Sequence, residues 1–570
     1  MIRPLDAWVL VASLAGLVLW GLARARATRD LEGFLVAGRS MPWPMVALSV
    51  MATQASAVTF MATPGQGYVG GLSFVQFYFG LPLAMVVLCA TLVPLYQRLR
   101  VSTAYEFLER RFDGKTRTLA AGLFLLQRGL AAGVTLYAPA LVLSVILGWD
   151  IGPTCALLGG LVVGTIVLGG SKAVAHAHAL QFSVIMGTLA LAFVLVVRAL
   201  PHDLGIADAL AVAGSAGKLH AVDPKFDPAS RYNLWAGLLG GFFLQLSYFG
   251  TDQSQVGRIL TAGSARESRL GLLFNGLVKV PMQFFILLLG VFVFVAYQFE
   301  PAPVFFDPAA SAKAAAGPYA AEWRDAERDW NAARADLALA LSTERSASRS
   351  GDAASARTAH AAALAADVAA SAARAHALAT IKATDPNAST NDTNYIFLRY
   401  VLAHLPAGVV GLVLAAIFAA AMNSSMSELN ALASTTIVDV VERLPLRPSE
   451  GALLAWSRGA TLFWTLYAVA SAQFVARLGS LVEAVNLMGS LFYGSILGIF
   501  VTAFLVRRAG GTAVFVAALV GEAAVIACWK LTPLSFLWWN LIGCVLTVIV
   551  AAALSAVAPA RRTGVGPEAC

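Results

Sequence analysis

Thirteen apolar runs, each about as long as a membrane-crossing helix, limit what this chain can fold into. A transmembrane helix needs ~20 predominantly apolar residues, and apolar residues make up 58% of the 570 residues while charged ones make up 13%. The sequence therefore predicts an all-α polytopic membrane protein with about thirteen crossings. The runs lie near residues 6–23, 43–62, 73–97, 118–147, 152–169, 178–199, 233–250, 272–298, 404–438, 455–474, 481–505, 512–530 and 536–556.

Basic residues cluster after odd-numbered runs only, so they mark one side of the predicted membrane. The positive-inside rule puts that side in the cytoplasm, with the N-terminus outside and the C-terminus inside the plasma (inner) membrane. These loops account for the net charge of +8, so no nucleic-acid partner is needed. The clusters are Arg24, Arg26 and Arg29; Arg98, Arg100, Arg110, Arg111, Lys115 and Arg117; Arg258, Arg266 and Arg269; Arg443 and Arg447; Arg507 and Arg508; Arg561 and Arg562.

The ninth run turns small and hydroxyl-rich halfway along, over residues 415–434. Ala421, Ser424 and Ser425 fall at i, i+3 and i+4, so they share one helix face. Two hydroxyls beside a backbone carbonyl offer uncharged oxygen ligands, which suit a cation that must also be released. The same spacing is typical of a small-residue seam for helix packing, with the serines bonded back to their own helix. The residues alone leave both interpretations open.

The second run is interrupted by polar side chains. Thr53, Gln54, Ser56 and Thr59 stand close together, and Pro64 with the following glycine is predicted to end the helix early. Non-helical backbone at membrane depth is tolerated where it lines protein or water, and its freed carbonyls can hold a cation. The cluster favours a broken helix over the alternative, a packing helix that tolerates polar residues.

Four segments, in this order along the chain, resemble the sodium/solute symporter family of sodium-coupled sugar, proline, iodide and vitamin carriers. They are Tyr-Glu-Phe-Leu-Glu-Arg-Arg-Phe at 105–112, the Gly-Gly to Ala-Leu-Gln segment at 169–181, Gly-Thr-Asp-Gln at 250–253 with Arg258, and Asn-Ser-Ser at 423–425 with Asn430, Ser434 and Thr435. The resemblance covers roughly residues 30–298 and 400–505. The ordered set is specific, and it favours the ion-site interpretation of the serine pair.

The resemblance implies a five-plus-five inverted-repeat (LeuT-like) core, with the second to sixth crossings in one repeat and the seventh to eleventh in the other. It also implies a sodium site made by the carbonyls of Ala52, Ala55 and Ala421 and the hydroxyls of Ser424 and Ser425. The expected function is sodium-coupled secondary active symport, which imports a small organic solute by alternating access. Sodium is then the coupling ion and the only metal, with no other cofactor and no enzymatic activity.

The solute is expected to bind in a central cavity. At the positions where sugar-carrying relatives use Gln and Glu, this chain has Thr59 and Tyr78, which argues against a hexose. The family also uses a lysine where Lys279 stands, and a lysine at that depth is expensive unless it faces water or a partner; snorkelling to the membrane edge is the alternative. The predicted solute residues are Gln54, Thr59, Tyr78, Gln245, Tyr248 and Lys279.

His178 replaces an acidic residue that the family often has near the cytoplasmic end of the sixth crossing. An imidazole titrates near pH 6.5, so the resemblance suggests that cation release here is more sensitive to pH than in acidic relatives. The alternative is a solvated histidine at a loop end beside His176.

Residues 299–394 do not fit the family pattern and form an Ala-rich, charged insertion. Their a and d positions predict a helical hairpin outside the membrane, opposite the basic loops; a disordered tract is the alternative. The pattern leaves open whether the hairpin caps the entrance, binds an unknown partner or is tolerated padding. The a and d residues are Trp323, Ala326, Trp330, Ala333, Leu337 and Ala340. The expected divisions are a peripheral helix (1–29), the first repeat and start of the second (30–298), the insertion (299–394), the rest of the second repeat (395–505), and peripheral helices with a short cytoplasmic tail (506–570).

Two other functions fit a chain of this class. One is a membrane solute sensor that uses the carrier fold as a receptor, and the other is a passive channel. Sensors usually append a signalling domain, whereas only a short tail follows the last predicted crossing. No nucleotide-binding loop, catalytic triad or metal-ligand spacing competes with transport, and the five cysteines show no disulfide framework.

Overall fold

The regular structure of this chain is helical. The computed structural model describes residues 3–25, 37–201, 204–443, 449–475 and 480–557. Within these ranges the only strand-like pairing is an isolated parallel bridge between Met41 and Ala262. Eight of the described helices are long and apolar enough to cross a membrane, and four shorter apolar helices accompany them. The prediction of an all-helical, multi-pass membrane protein is confirmed, and the figure of thirteen crossings stays a prediction.

The helices of the first half surround the candidate site. A 3₁₀ segment (Gly71–Tyr78) joins the third helix to the fourth, and a π turn (Ala236–Gly240) precedes the tenth. The helices are α1 Pro4–Ala25, α2 Trp43–Gln54, α3 Ala57–Gly70, α4 Leu81–Ala90, α5 Leu92–Leu99, α6 Glu106–Arg111, α7 Gly114–Leu147, α8 Ile151–Ala199, α9 Ile206–Ser215, α10 Gly241–Gly250, α11 Gln253–Ile259 and α12 Ala265–Phe299.

The second half contains the insertion and the most enclosed helix of the protein. That helix, α17, is buried along nearly its whole length and packs against α1, α2, α3, α7 and α8, because most of its residues are small or apolar. The helices are α13 Pro308–Ala316, α14 Ala320–Ser350, α15 Ala353–Thr384, α16 Thr393–His404, α17 Val409–Thr435, α18 Glu450–Ala472, α19 Leu481–Leu505, α20 Gly511–Leu531 and α21 Phe536–Val557.

Some predicted features lie outside the described residues. They are five members of the basic clusters, the terminal tail, and the side chains of residues 165–177, which include most of the predicted segment at 169–181 and His176. The five basic residues are Arg26, Arg29, Arg447, Arg561 and Arg562.

The second run is broken, but not where the sequence analysis placed the break. The helix stops at Ala55 (φ −80°, ψ 63°) and restarts after Ser56, whose hydroxyl accepts from the Thr59 N–H at 3.3 Å. The predicted stop at Pro64 is wrong, because α3 continues through it to its end. Helix α12 packs closely against this proline: a Cβ added at Gly290 would lie 1.9 Å from the Pro64 carbonyl oxygen.

The fifth and sixth predicted crossings are joined in one helix rather than separated by a loop. Helix α8 contains 49 residues, which rise about 74 Å at 1.5 Å per residue. That is more than twice the ~30 Å of a hydrocarbon core, but a helix that does not turn back crosses a membrane once, so its length does not establish two crossings. The stretch between them contains no proline and several alanines, which favour continued helix.

Basic residues gather at one end of the helix bundle. Arg111 donates to the carbonyl oxygens of Ala503 (3.2 Å) and Val506 (3.1 Å), and Arg443 forms an ion pair with Glu109. The loops after α5, α17 and α19 therefore meet at this end, which is the grouping that the charge pattern predicted for one side of the membrane.

The insertion forms two antiparallel helices, α14 and α15, at the opposite end of the bundle. The Trp330 indole donates to the Ala302 carbonyl at 2.6 Å, and Arg374 pairs with Asp392 at 2.7 Å, so the hairpin is fixed at its base. The disordered alternative is wrong for this segment, because a buried apolar seam joins the two helices. The seam includes all the predicted a and d residues: Trp323, Ala326, Trp330, Ala333, Leu337 and Ala340.

Helix α1 starts at the hairpin end. Its buried Asp6 carboxylate accepts from the N–H groups of Gly408 (2.6 Å) and Gly411 (3.0 Å), which lie at the start of α17. The carboxylate thus caps the N-terminus of α17, where negative charge is favoured.

Candidate functional site

The break between α2 and α3 lies directly against the hydroxyl-bearing face of α17. The Ser424 hydroxyl donates to the Thr53 carbonyl at 3.1 Å, and the hydroxyls of Thr53 and Ser427 lie 3.3 Å apart. The structure therefore places this face of α17 beside the break, and the five residues predicted as sodium ligands are all buried. They are Ala52, Ala55, Ala421, Ser424 and Ser425.

Several oxygen atoms at this junction have unused lone pairs. The Thr59 hydroxyl donates to the Gln54 carbonyl at 3.0 Å, but the Ala52 and Ala55 carbonyls accept no hydrogen bond from any described residue. Nor does the buried Ser425 hydroxyl have a partner in that part of the chain. Buried polar groups are normally paired, so this set of unpaired neutral oxygens suits a cation.

A cavity of about 110 Å³ adjoins this junction. It lies between the α2–α3 break, the 3₁₀ segment and helices α7, α10, α12, α17 and α19. Ser424 lines the cavity and is also one of the predicted sodium ligands, so a solute in the cavity would lie next to the ion site. The cavity wall includes every residue predicted to face the solute: Gln54, Thr59, Tyr78, Gln245, Tyr248 and Lys279.

Lys279 is enclosed rather than extended to the membrane edge. Its side chain is 2% exposed, and its ammonium lies 5.5 Å from the centre of the Tyr78 ring, whose hydroxyl accepts from Gln283 at 3.0 Å. The snorkelling alternative is therefore wrong. No carboxylate pairs with Lys279 among the described residues.

A buried ionic network in the cavity wall was missed by the sequence analysis. Arg128 on α7 is 3% exposed and pairs with Asp252 and with Glu428 (3.0 Å). It also donates to the Tyr493 hydroxyl at 2.8 Å, which in turn donates to Asp252 at 2.8 Å. An arginine in the middle of a predicted crossing was the available signal, because ionisable residues at that depth are functional candidates by default.

His178 is fully buried on α8, beside α2. Its Nδ1 lies 3.0 Å from the Ser49 hydroxyl, so the solvated loop-end alternative is wrong. The suggested pH sensitivity of cation release stays a prediction.

Two residues counted among the basic loop clusters are buried instead. Arg117 pairs with Asp439 (2.7 Å) and Glu109 (2.8 Å), and Arg258 is 3% exposed. The positive-inside pattern therefore rests on the remaining basic residues. Arg117 instead fixes the start of α7 to the end of α17.

The chain matches the Sodium:solute symporter family over residues 34–320. Sodium-coupled monocarboxylate transporter 2 of Mus musculus is 30% identical over 302 residues, 52% of this chain and 46% of the relative. Sodium/sialic acid symporter NanT of Aliivibrio fischeri is 23% identical over 552 residues, 95% of this chain and 91% of that protein. The chain thus spans less than half the length of the monocarboxylate transporter but nearly all of NanT.

The fold is that of a solved carrier. A substrate-bound, outward-open Na⁺-coupled sialic acid symporter superposes with a TM-score of 0.75 and 21% identity, covering 98% of this chain and 100% of that one. The similarity therefore includes the peripheral helices as well as the core.

Proposed function

Because the chain belongs to the sodium:solute symporter family, we propose that it uses the sodium gradient to import a small organic anion by alternating access. The observation that supports this proposal is that two kinds of unpaired group lie at or beside one cavity. One is a set of neutral oxygens without hydrogen-bond donors, and the other is an enclosed ammonium without a carboxylate. Sodium satisfies the first, and an anionic solute satisfies the second.

The coupling site is formed by the carbonyls of Ala52, Ala55 and Ala421 and the hydroxyls of Ser424 and Ser425. The unpaired Ser425 hydroxyl, next to the Ser424 hydroxyl that donates to Thr53, supports this assignment. Ion binding at this junction would connect α2 to α17 across the two proposed repeats. Closure on sodium therefore prepares the adjacent cavity for the solute, which gives the coupling.

The solute anion would bind Lys279, since the other enclosed cation in the cavity wall is already paired. Arg128 is held by Asp252 and Glu428, so its charge is not available to a ligand. The cavity of about 110 Å³ is smaller than the ~300–1,000 Å³ of sites for drug-sized ligands, which favours a solute of few heavy atoms. Both named relatives described above carry acids, monocarboxylates and sialic acid.

The proposed setting is the plasma (inner) membrane, with the N-terminus and the hairpin outside and the C-terminus in the cytoplasm. The gathering of basic side chains at one end of the bundle supports this orientation. Labelling of single cysteines placed at the hairpin tip and beside Arg507 in intact cells would test it.

Uptake into proteoliposomes tests the function directly. Full-length protein should concentrate a short monocarboxylate above its external level when sodium is outside, and not when choline replaces sodium. A channel would give flux without accumulation, and a sensor would give binding without flux. Either of these outcomes would refute the proposal.

The anion assignment has its own test in Lys279→Met. Losing a charge-assisted contact of about 1.5–3 kcal/mol should reduce carboxylate affinity by about 10- to 150-fold, while sodium binding stays intact. Lys530→Met, at an exposed lysine on α20, is the matched control and should transport normally. Unchanged carboxylate affinity in Lys279→Met would place the anion elsewhere.

A further inference from the structure

The ionic network around Arg128 contains more negative than positive charge. The single charge of Arg128 faces two carboxylates, those of Asp252 and Glu428. Asp252 is fully engaged: besides Arg128 it accepts from the Tyr493 hydroxyl (2.8 Å) and from the Ser254 N–H (2.9 Å). Asp252 can therefore neutralise Arg128, which leaves the charge of Glu428 without a counterpart in the network.

One of the two carboxylate oxygens of Glu428 has no hydrogen-bond partner among the described residues. One carboxylate oxygen accepts from Arg128 at 3.0 Å, whereas the other is buried and has no hydrogen-bond partner among the described residues. The residue is 6% exposed and belongs to the cavity wall. A buried carboxylate oxygen without a donor or a cation is costly, so this atom requires a partner from the cavity.

One neighbouring hydroxyl lies beside this carboxylate. The Thr135 hydroxyl on α7 lies within hydrogen-bonding reach of the Glu428 carboxylate and also of the carbonyl of Ala131, one turn back on its own helix, at 3.3 Å. Its oxygen thus presents lone pairs beside a carboxylate oxygen. A cation bound here would be coordinated by oxygen atoms of both side chains.

We propose that Glu428 and Thr135 form a second sodium site, one helical turn from the first. Glu428 continues the α17 face of Ala421, Ser424 and Ser425, at i+7 from Ala421, so the two ions would lie along one face of one helix. The carboxylate supplies the charge, the hydroxyl a neutral ligand, and cavity water the remaining oxygens. This inference rests on the proposed function, because it assumes that sodium enters the cavity.

Equilibrium binding of ²²Na⁺ to the purified full-length chain, without solute, tests the site. The wild type should bind two ions, Glu428→Gln one, Ser425→Ala one, and the double variant none. The glutamine can still accept from Arg128, so the fold should survive. Thr135→Val, which keeps the side-chain shape, should weaken the second ion at least ten-fold without changing any charge.

The outcomes separate the two proposals. A wild type that binds no sodium would refute the proposed function. A wild type with one ion, lost in Ser425→Ala and kept in Glu428→Gln, would overturn the second site alone. The second site would also be overturned if Glu428→Gln bound as many sodium ions as the wild type and the wild type released one proton from Glu428 on binding sodium. The Glu428 carboxylate would then carry a proton rather than hold an ion. In proteoliposomes with a membrane potential of about 100 mV, Glu428→Gln should carry one sodium ion fewer per cycle. Its ratio of internal to external solute should therefore be about fifty-fold lower than that of the wild type.

Discussion

Ser425→Ala should separate ion binding from folding. The Ser425 hydroxyl is 4% exposed and unpaired within the described chain, and an unsatisfied buried group costs about 1–3 kcal/mol. Its removal should therefore leave the sodium-free protein as stable as the wild type or more stable. In sodium the same change deletes a ligand worth about 1.5–3 kcal/mol, which lowers the affinity of the first site about 10- to 150-fold.

Thermal unfolding in sodium and in choline measures both effects on one sample. At about 100 times Kd, an ion stabilises the folded state by about 2.7 kcal/mol. With the affinity of the first site reduced about 10- to 150-fold, Ser425→Ala should retain about 0.3–1.4 kcal/mol of the ~2.7 kcal/mol that this site contributes; the stabilisation from the proposed second site is unchanged. Ser434→Ala is the matched control, because that hydroxyl donates within α17 to Ala431 at 3.0 Å. A wild-type sodium increment in Ser425→Ala, or an equal loss of stability in choline, would refute the reasoning.

Two further predictions concern packing and pH. Gly290→Ala should destabilise the protein by about 1–3 kcal/mol in thermal unfolding, because its Cβ would lie 1.9 Å from the Pro64 oxygen, whereas Gly160→Ala, with open space around it, should be neutral or stabilising. His404 lies 2.9 Å from Glu300 at the hairpin end, and this hydrogen bond raises the pKa of His404 above 6.5. The pair should therefore stabilise fully below about pH 6.5 and lose its contribution as pH rises through the higher folded pKa. Melting curves of His404→Gln from about pH 6 to pH 9 should lack that loss; a wild-type curve of the same shape would contradict the assignment.

Local patterns predicted the parts of the site that depend on a single helix. Ala421, Ser424 and Ser425 share a face because helical periodicity alone places them there. The break in the second run was also predictable, but its position was not. Proline normally disrupts a helix, yet α3 continues through Pro64 and the chain breaks near Ala55 instead.

The ionic network escaped prediction because its members are distant in sequence. Arg128 is separated from Asp252 by 124 residues and from Glu428 by 300. No spacing rule connects such residues. Only the packing of α7, α11 and α17 together shows that Asp252 and Glu428 share Arg128 as a partner. The joining of two predicted crossings in α8 was missed for a related reason, since polar residues between apolar runs are compatible with either a loop or continued helix.

The hairpin is a long helical pair at one end of the bundle. Helix α14 has 31 residues and so rises about 46 Å, and its base is bonded to the segments that follow α12 and precede α16. Its turn is a glycine in a left-handed conformation, Gly351 at φ 76°. A small folded domain grafted at that turn, which the Arg349–Asp208 ion pair holds against α9, would serve as a rigid fiducial for particle alignment in electron cryomicroscopy.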